Sequence, residues 1–398
     1  MYSIHDKGNV MKGIKVVQVA WNWINESGGA AQSIANFQNA LGSFVVSFTR
    51  DNASPYKGSE QVKQLHIPYH ESTVNRYSYT RSPLKQLAEQ TLIDADLIVC
   101  HGFYRYHFDW AARIAKQHNI PYWVIPHGSL DPYVFTYRSI SKKVWFRLLG
   151  NESFSNAAAF IFATESERDK SYIRVPLEIS RVIHWPVKYI NTQNRVEAKS
   201  RVRKEHNIPP NAKVLLFIGR IHPMKRPVET IRCVATCGSD KVYLMVMGPD
   251  SDVLSSAECN KLCINNGYKN IRFISPVYNQ EKYDYYMAAD AFISLSHREN
   301  FGYTVAEALL SGIPVILSPG NDLSKDIRHL NCGWLLEDDS PENATRVVNE
   351  FVETPGEQLV EMGGRGQKWA RAELSPERFK SQIQALALDT VEKAKLTH

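Results

Sequence analysis

The sequence contains no run of eighteen apolar residues, so no transmembrane helix is expected. Its start, Met1 to Val10, is polar and has no apolar signal core, which points to a cytoplasmic chain. Cysteine is scarce, with six in 398 residues. Cys233/Cys237 and Cys259/Cys263 are spaced i, i+4 on expected helices rather than as CxxC pairs. Such a set is read either as zinc ligands or as buried apolar residues, and the buried reading is preferred, so no metal is expected. The chain also lacks an arginine-rich tail and zinc-finger spacing. Its net charge of +6 is too diffuse to argue for nucleic acid, and suits phosphorylated ligands or an anionic membrane surface. No GxGxxG fingerprint is present, which disfavours a dinucleotide-dependent hydride transfer. Repeats and low-complexity segments are absent too.

What is present is ordinary globular composition, 43% hydrophobic and 22% charged, on a chain long enough for two cores. Ile14 to Ala20 reads as a first strand whose near-continuous apolar character suits a parallel sheet covered on both faces. Gly28-Gly29 opens a helix to about Leu41. Strand signals recur at Phe44 to Phe48, Leu97 to Cys100, Tyr122 to Ile125 and Ala159 to Ala163, with helical patterns such as Phe108 to Gln117 between them. A second alternation runs through Val214 to Gly219, Val242 to Met247, Ile271 to Ile274, Ala291 to Leu295 and Val315 to Leu317. The polar, proline-bearing stretch from Trp185 to Lys213 reads as a linker. The expected fold class is α/β: two Rossmann-like doubly wound domains, residues 1–190 and 191–375, facing each other across a cleft. A last helix over 376–398 could pack on either domain.

The most informative stretch is Ser296 to Ile316. A strand runs into a loop carrying Glu299, then a Phe301-Gly302 turn, then a helix with Glu307 about one turn in. Amides at a helix N-terminus attract anions. Two carboxylates beside such an anion hole suit a ligand that is both phosphorylated and rich in hydroxyls, as nucleotide sugars are. After the first strand of the second alternation come Gly219-Arg220 and Lys225, at the sheet edge where open α/β sheets bind ligands. Arg220 can fork onto a diphosphate and Lys225 adds a point charge. Each of these residues has a plainer reading: a solvated basic loop, a carboxylate complementing a helix dipole, an exposed loop acid. Their convergence with Gly248-Pro249-Asp250 favours a site. In the first domain, Gly28-Gly29 permits either close approach of backbone to a ligand or a tight turn. His127-Gly128 follows a strand, where a histidine would face the cleft. Tyr137 to Leu149 mixes basic and apolar residues. It is read as a helix with an apolar core face and a basic solvent face, with a surface for anionic lipid or a lipid-linked acceptor as the alternative.

These residues resemble the retaining glycosyltransferase family GT4, of GT-B fold. The E-x7-E pattern of that family matches Glu299 and Glu307, its phosphate loop matches Gly219-Arg220 and Lys225, its His-Gly matches His127-Gly128, and its glycine pair matches Gly28-Gly29. The resemblance covers nearly the whole chain and is weakest between Asn52 and Asp94. It implies that Arg220 and Lys225 stabilise a departing nucleoside diphosphate without a metal or other cofactor. It further implies that Glu299 holds sugar hydroxyls, with the amides from Asn300 and Phe301 through Gly302 and Tyr303 to Thr304 on the phosphates. Glu307 would accept from the ribose, Val277 would border the base, and His127 would contact donor sugar or acceptor. Together these make Arg220, Lys225, Glu299 and His127 the expected catalytic residues. A double displacement needs a carboxylate nucleophile, for which Asp131 is a weak candidate, so a front-face mechanism is preferred. The expected partners are a nucleotide sugar, UDP-glucose first, and a glycan or lipid-linked acceptor of cell-surface polysaccharide synthesis, with peripheral contact at the inner membrane face left open. A nucleotide-sugar epimerase and a non-catalytic nucleotide-sugar-binding protein are the competing readings.

Overall fold

A computed structural model describes residues 13–24, 28–50, 64–69, 83–135, 151–237, 239 and 241–396. The basic stretch Tyr137 to Leu149 lies outside the described residues. The chain divides into two compact units, Val187–Ser375 and the remainder, in which the stretch up to Pro186 is joined by the helix from Pro376 onward.

In the first unit, β1 (Val16–Trp21), β2 (Phe44–Arg50), β3 (Gln64–Tyr69), β4 (Leu97–His101), β5 (Tyr122–Ile125), β6 (Ala159–Phe162) and β7 (Ser180–Val182) form one sheet in the order β3-β2-β1-β4-β5-β6-β7. Every pairing in it is parallel. The central strands are buried on both faces, as their near-continuous apolar runs require. Side chains alternate between the faces. Val17, Val19, Ile98, Cys100, Tyr122 and Val124 fill one core. The opposite face meets the helix Gly28–Leu41, on which the C-terminal helix Pro376–Leu396 packs. Phe37 and Phe379 meet edge to face at 5.1 Å, Trp123 donates to Thr390 at 3.1 Å, and Gln384 donates to the Ala40 carbonyl at 2.8 Å. The C-terminal helix therefore belongs to the first unit.

In the second unit, β8 (Lys213–Ile218), β9 (Val242–Met247), β10 (Ile271–Ile274), β11 (Ala291–Ser294), β12 (Val315–Leu317) and β13 (Gly333–Leu335) run in the order β10-β9-β8-β11-β12-β13, again all parallel. Both sheets reverse their strand order once, between β1 and β4 in the first and between β8 and β11 in the second. Ligands of such sheets bind outside the carboxyl ends of the strands at that reversal. Strands β3, β7 and β13 had no recognisable signal in the sequence. Two of them are only three residues long, and β3 carries Pro68 at the sheet edge, where a missing N–H is tolerated.

The expected linker is in part structural. Within it the helix Arg195–Glu205 packs on the helix Lys282–Ala288. Arg203 is buried and donates to the carbonyls of Ala288 and Ala212 and to the Asp290 carboxylate at 2.8 Å. A segment read as linker is thus tied to the unit by one of its arginines. The four paired-spacing cysteines sit in the second unit's apolar core. Among the described residues no group of three or more His, Cys, Asp or Glu could hold a metal ion, and no helix is long and apolar enough to cross a membrane.

Arg203→Ala would leave the buried Ala288 and Ala212 carbonyls short of a donor, although Lys199 still pairs with Asp290. It should therefore destabilise the protein by about 2–3 kcal/mol. Arg201→Ala, which breaks the exposed pair with Asp284, should cost no more than about 1 kcal/mol. Urea denaturation followed by tryptophan fluorescence checks both, and equal losses would contradict the anchoring role.

Candidate functional site

At the reversal in the second unit, β8 and β11 lie side by side. The loop leaving β8 carries Gly219, Arg220 and Lys225, and the loop leaving β11 carries Ser296 to Gly302. Backbone bonds join the two: the His297 amide donates to the Met224 carbonyl at 2.9 Å. Lys225 then forms an ion pair with Glu299. The sequence separates these residues by dozens of positions, and the strand order makes them neighbours.

Each loop is fixed from its other side. The Gly219 amide donates to Met247 and the Ile221 amide to Pro249, tying the β8 loop to the turn after β9. Gly248 in that turn has φ +155°, and a Cβ there would collide with the Gly219 carbonyl. His222 accepts from the Met224 amide at 3.0 Å and starts the short turn Pro223–Lys225. On the β11 side, the Glu299 amide donates to Gly320 at 2.8 Å and the Asp322 amide donates to Glu299 at 2.9 Å. Behind them is a polar network that the sequence did not announce. Buried Asn321 donates to the Ser294 carbonyl at 2.8 Å and accepts from the Ser294 hydroxyl, while Ser318 donates to the Ser296 carbonyl at 2.6 Å. Such side-chain bonds to backbone hold an irregular segment where no ladder can.

Glu299 leads into Asn300, Phe301 and Gly302. Asn300 buries its Oδ1 with no partner among the described residues. Phe301 is buried against Tyr303, 5.1 Å between centroids. Gly302 takes φ +75° as the N-cap of the helix Tyr303–Leu310, whose start has no side-chain cap. Helix N-terminal amides of this kind attract anions. Glu307 is buried one turn in, and both its oxygens are engaged: Lys282 donates to one at 2.6 Å and Tyr286 to the other at 2.8 Å. These two partners were missed in the sequence. Their i, i+4 spacing on one short helix was the available signal. A carboxylate has about four acceptor positions, so Glu307 keeps capacity for a further donor.

Arg220 is exposed on its loop. Desolvation, and after it the Arg220 charge, pull the Lys225 ammonium down to about 8. Val277 follows β10, two strands away from β8, and has no bond to the Lys225–Glu299 pair.

The remaining expected site residues belong to the first unit. Gly28, at φ +57°, and Gly29 open the helix Gly28–Leu41. His127 follows β5 with a left-handed φ of +51°, and Gly128 follows it at +71°. A buried carboxylate holds this turn: Glu167 accepts from the Gly128 amide at 2.7 Å and from the Ala163 amide at 2.8 Å. His127 Nε2 lies 2.9 Å from His101 Nδ1, and His101 Nε2 lies 2.6 Å from Gln18 Oε1. Burial pushes the His127 imidazole down to about 4 and His101 well below its ordinary value, so both are neutral near pH 7. Asp131, the weak nucleophile candidate, is buried in an ion pair with Lys170 at 2.6 Å. No hydrogen bond joins the Gly28-Gly29 pair to His127 among the described residues.

Comparison with known proteins follows the same division. Residues 198–369 match the family model of glycosyl transferases group 1, and residues 28–176 match that of the glycosyl transferase 4-like domain. The chain belongs to the glycosyltransferases of GT-B fold. The two matches lie on the two parallel-sheet units and bear out the family resemblance carried by the motifs. A D-inositol 3-phosphate glycosyltransferase of Streptomyces scabiei is 27% identical over 222 residues, which are 52% of this chain and 49% of that protein. The corresponding enzyme of Streptosporangium roseum is 29% identical over 167 residues, 40% of this chain and 38% of that protein. The chain thus spans about half the length of the curated relatives it matches or less. Among solved structures, Anabaena HepE in complex with UDP superposes with a TM-score of 0.77 at 18% identity, covering 95% of this chain and 100% of that one. HepE in complex with UDP-glucose gives 0.71 at 17% identity over 94% and 99%. WaaG, a glycosyltransferase involved in lipopolysaccharide biosynthesis, gives 0.64 at 15% identity over 92% and 99%.

The backbone collision at Gly248 cannot be relieved by a rotamer change. Gly248→Ala should destabilise by about 2 kcal/mol or more, whereas Gly28→Ala, which meets open space and only a φ penalty, should cost about 1 kcal/mol. Thermal denaturation of the two variants ranks them, and the reverse order would refute the close approach of the β8 and β9 turns.

Proposed function

We propose that the protein is a retaining, metal-independent transferase that moves a hexosyl unit from a nucleoside-diphosphate sugar to a glycan or lipid-linked acceptor. UDP-glucose is the first donor to test. The observation that carries this reading is the meeting of Lys225 and Glu299 at the strand-order reversal, beside an uncapped helix N-terminus. A cation, a row of amides and carboxylates on one sheet edge suit a diphosphate joined to hydroxyl-rich rings. Binding of UDP and of UDP-glucose by HepE, which shares the fold, supports the same donor class.

In this reading Arg220 and Lys225 neutralise the diphosphate and stabilise it as it leaves. The amides from Phe301 to Thr304 hold the phosphates. Glu299 accepts from sugar hydroxyls and Glu307 from the ribose, while Val277 borders the base. Gly28 and Gly29 allow backbone approach to the donor. His127 contacts the donor sugar or the acceptor. The bond from the anomeric carbon to the phosphate oxygen breaks on the face where the acceptor oxygen bonds, and the departing phosphate takes the acceptor's proton. The ion pair of Asp131 with Lys170 supports this front-face course over a double displacement. The name of the curated relatives adds an inositol phosphate to the acceptors worth trying.

Incubation with a panel of nucleotide sugars and acceptors should release a nucleoside diphosphate. Lys225→Ala and Glu299→Ala should each lower that release by about 100-fold or more, as losing one transition-state contact in an excluded site does. Release that survives both changes would refute the assignment, and an epimerised donor without nucleotide release would favour an epimerase. UDP affinity should be level between about pH 7 and 8, where its terminal phosphate is ionised, and weaken as Lys225 loses its proton above about 8. Calorimetry across that range reads the step, and Lys225→Met should abolish it.

A further inference from the structure

The first unit holds a buried chain of polar groups that runs across three neighbouring strands. Gln18 is on β1, His101 ends β4, and His127 follows β5, in the order β1-β4-β5. Gln18 and His101 are fully buried or nearly so. They lie on the sheet face opposite to the Val17, Val19 and Cys100 core, and the ring of Phe37 meets His101 edge to face at 5.5 Å. The Gln18 amide bridges two groups: Nε2 donates to Ser43 Oγ at 2.7 Å, and Oε1 faces His101 Nε2 at 2.6 Å.

An amide oxygen only accepts, and a neutral imidazole carries one proton. His101 must hold its proton on Nε2 to donate to Gln18. Its Nδ1 is then a bare acceptor, and the bond at 2.9 Å requires His127 to donate from Nε2. With that nitrogen used, Nδ1 of His127 has no proton and no partner among the described residues, and the residue as a whole is only half-buried. His107 adds a brace, since its Nε2 donates to the His101 carbonyl at 2.7 Å. Burial keeps the three rings neutral, so none of them gains the second proton that would erase this direction.

We infer that Gln18 and His101 are positioning residues that lock His127 as its Nε2-protonated tautomer, so that His127 meets a sugar hydroxyl through Nδ1 as a hydrogen-bond acceptor. The direction of the bond follows from a glutamine three residues into the first strand. In kinetic terms the inference rests on the proposed sugar transfer, while the tautomer itself does not.

The test has one arm for each. In protein labelled with 15N-histidine, long-range proton–nitrogen spectra near neutral pH should show His127 Nε2 as the protonated nitrogen and Nδ1 as the bare one, assigned with His127→Asn. Protonation on Nδ1 would overturn the inference whether or not the protein transfers sugar. Gln18→Glu keeps size and hydrogen bonding, but a carboxylate draws a second proton onto His101, whose Nδ1 then donates and forces His127 to protonate Nδ1. That variant should invert the His127 signals and lower transfer from UDP-glucose at least about tenfold, the scale on which a misplaced proton acts. Ser43→Ala, a milder change that frees the Gln18 amide, should give a mixture of both tautomers and an intermediate rate. UDP-glucose analogues with one hydroxyl replaced by fluorine, which cannot donate, should show one position where the wild type loses rate and His127→Ala loses no more. If the folded Gln18→Glu protein keeps the wild-type tautomer, or inverts it with no change in rate, positioning by Gln18 is refuted. An absence of transfer by the wild-type protein, with the expected tautomer observed, would instead refute the proposed function alone.

Discussion

An all-parallel sheet whose strand order reverses forces two loops to leave the same edge side by side, because the crossovers on either side of the reversal run to opposite faces. In the second unit that constraint sets everything else. The loop after β8 and the loop after β11 have to share one edge, and backbone bonds from His297 to Met224 and from Ile221 to Pro249 join them to each other and to their neighbours. The close approach leaves no room for a side chain at Gly248. It also leaves the backbone around Ser296 without a ladder, which explains why three serines and Asn321 are buried there with their hydrogen bonds made. The ion pair of Lys225 with Glu299 is the outcome of this geometry and not its cause.

The first unit obeys the same constraint and reaches a different chemistry. Gln18, His101 and His127 stand on or just beyond three adjacent strands, but the first two lie within the sheet rather than past its edge. Burial there disfavours charge, and the groups present are neutral donors and acceptors whose order is fixed end to end. At the edge of the second unit, partial exposure tolerates the charges that the proposed diphosphate ligand would need. One topology thus yields an electrostatic site and a directional one, and depth along the strand decides which.

Much of this was legible in the sequence, and the reasons are particular. The strands β1, β4, β5, β8, β9 and β11 are buried on both faces, so their apolar runs announced them. Glu299, Glu307, Arg220 and Lys225 stood out because strand ends followed by glycine and a helix start are a recognisable pattern. The partners were not legible. Lys282 and Tyr286 reach Glu307 from another helix, and Glu167 reaches the Gly128 amide from beyond β6, contacts that depend on tertiary placement alone. The anchoring by Arg203 was not legible either, since only tertiary placement brings its guanidinium to the Ala288 and Ala212 carbonyls inside a stretch that reads as linker. The histidine chain was invisible except for His127, because nothing in the sequence relates Gln18 to His101 until β1 and β4 are known to pair.

The Lys225–Glu299 pair raises a question of cost, since each group is also assigned to the donor. Their side chains are 27% and 21% exposed, between a surface pair and a buried one. Pairs with access to water contribute about 0–1 kcal/mol, so exchanging this one for phosphate and hydroxyl partners forfeits little. Without a partner, Lys225 would stand beside Arg220 with nothing to offset its desolvation and, after it, their repulsion, which together already draw its proton affinity down. The pair therefore holds both side chains at the sheet edge, where the diphosphate of the proposed function would have only to replace one anion with another. A fully buried pair would resist that exchange, and a fully exposed one would not hold the geometry.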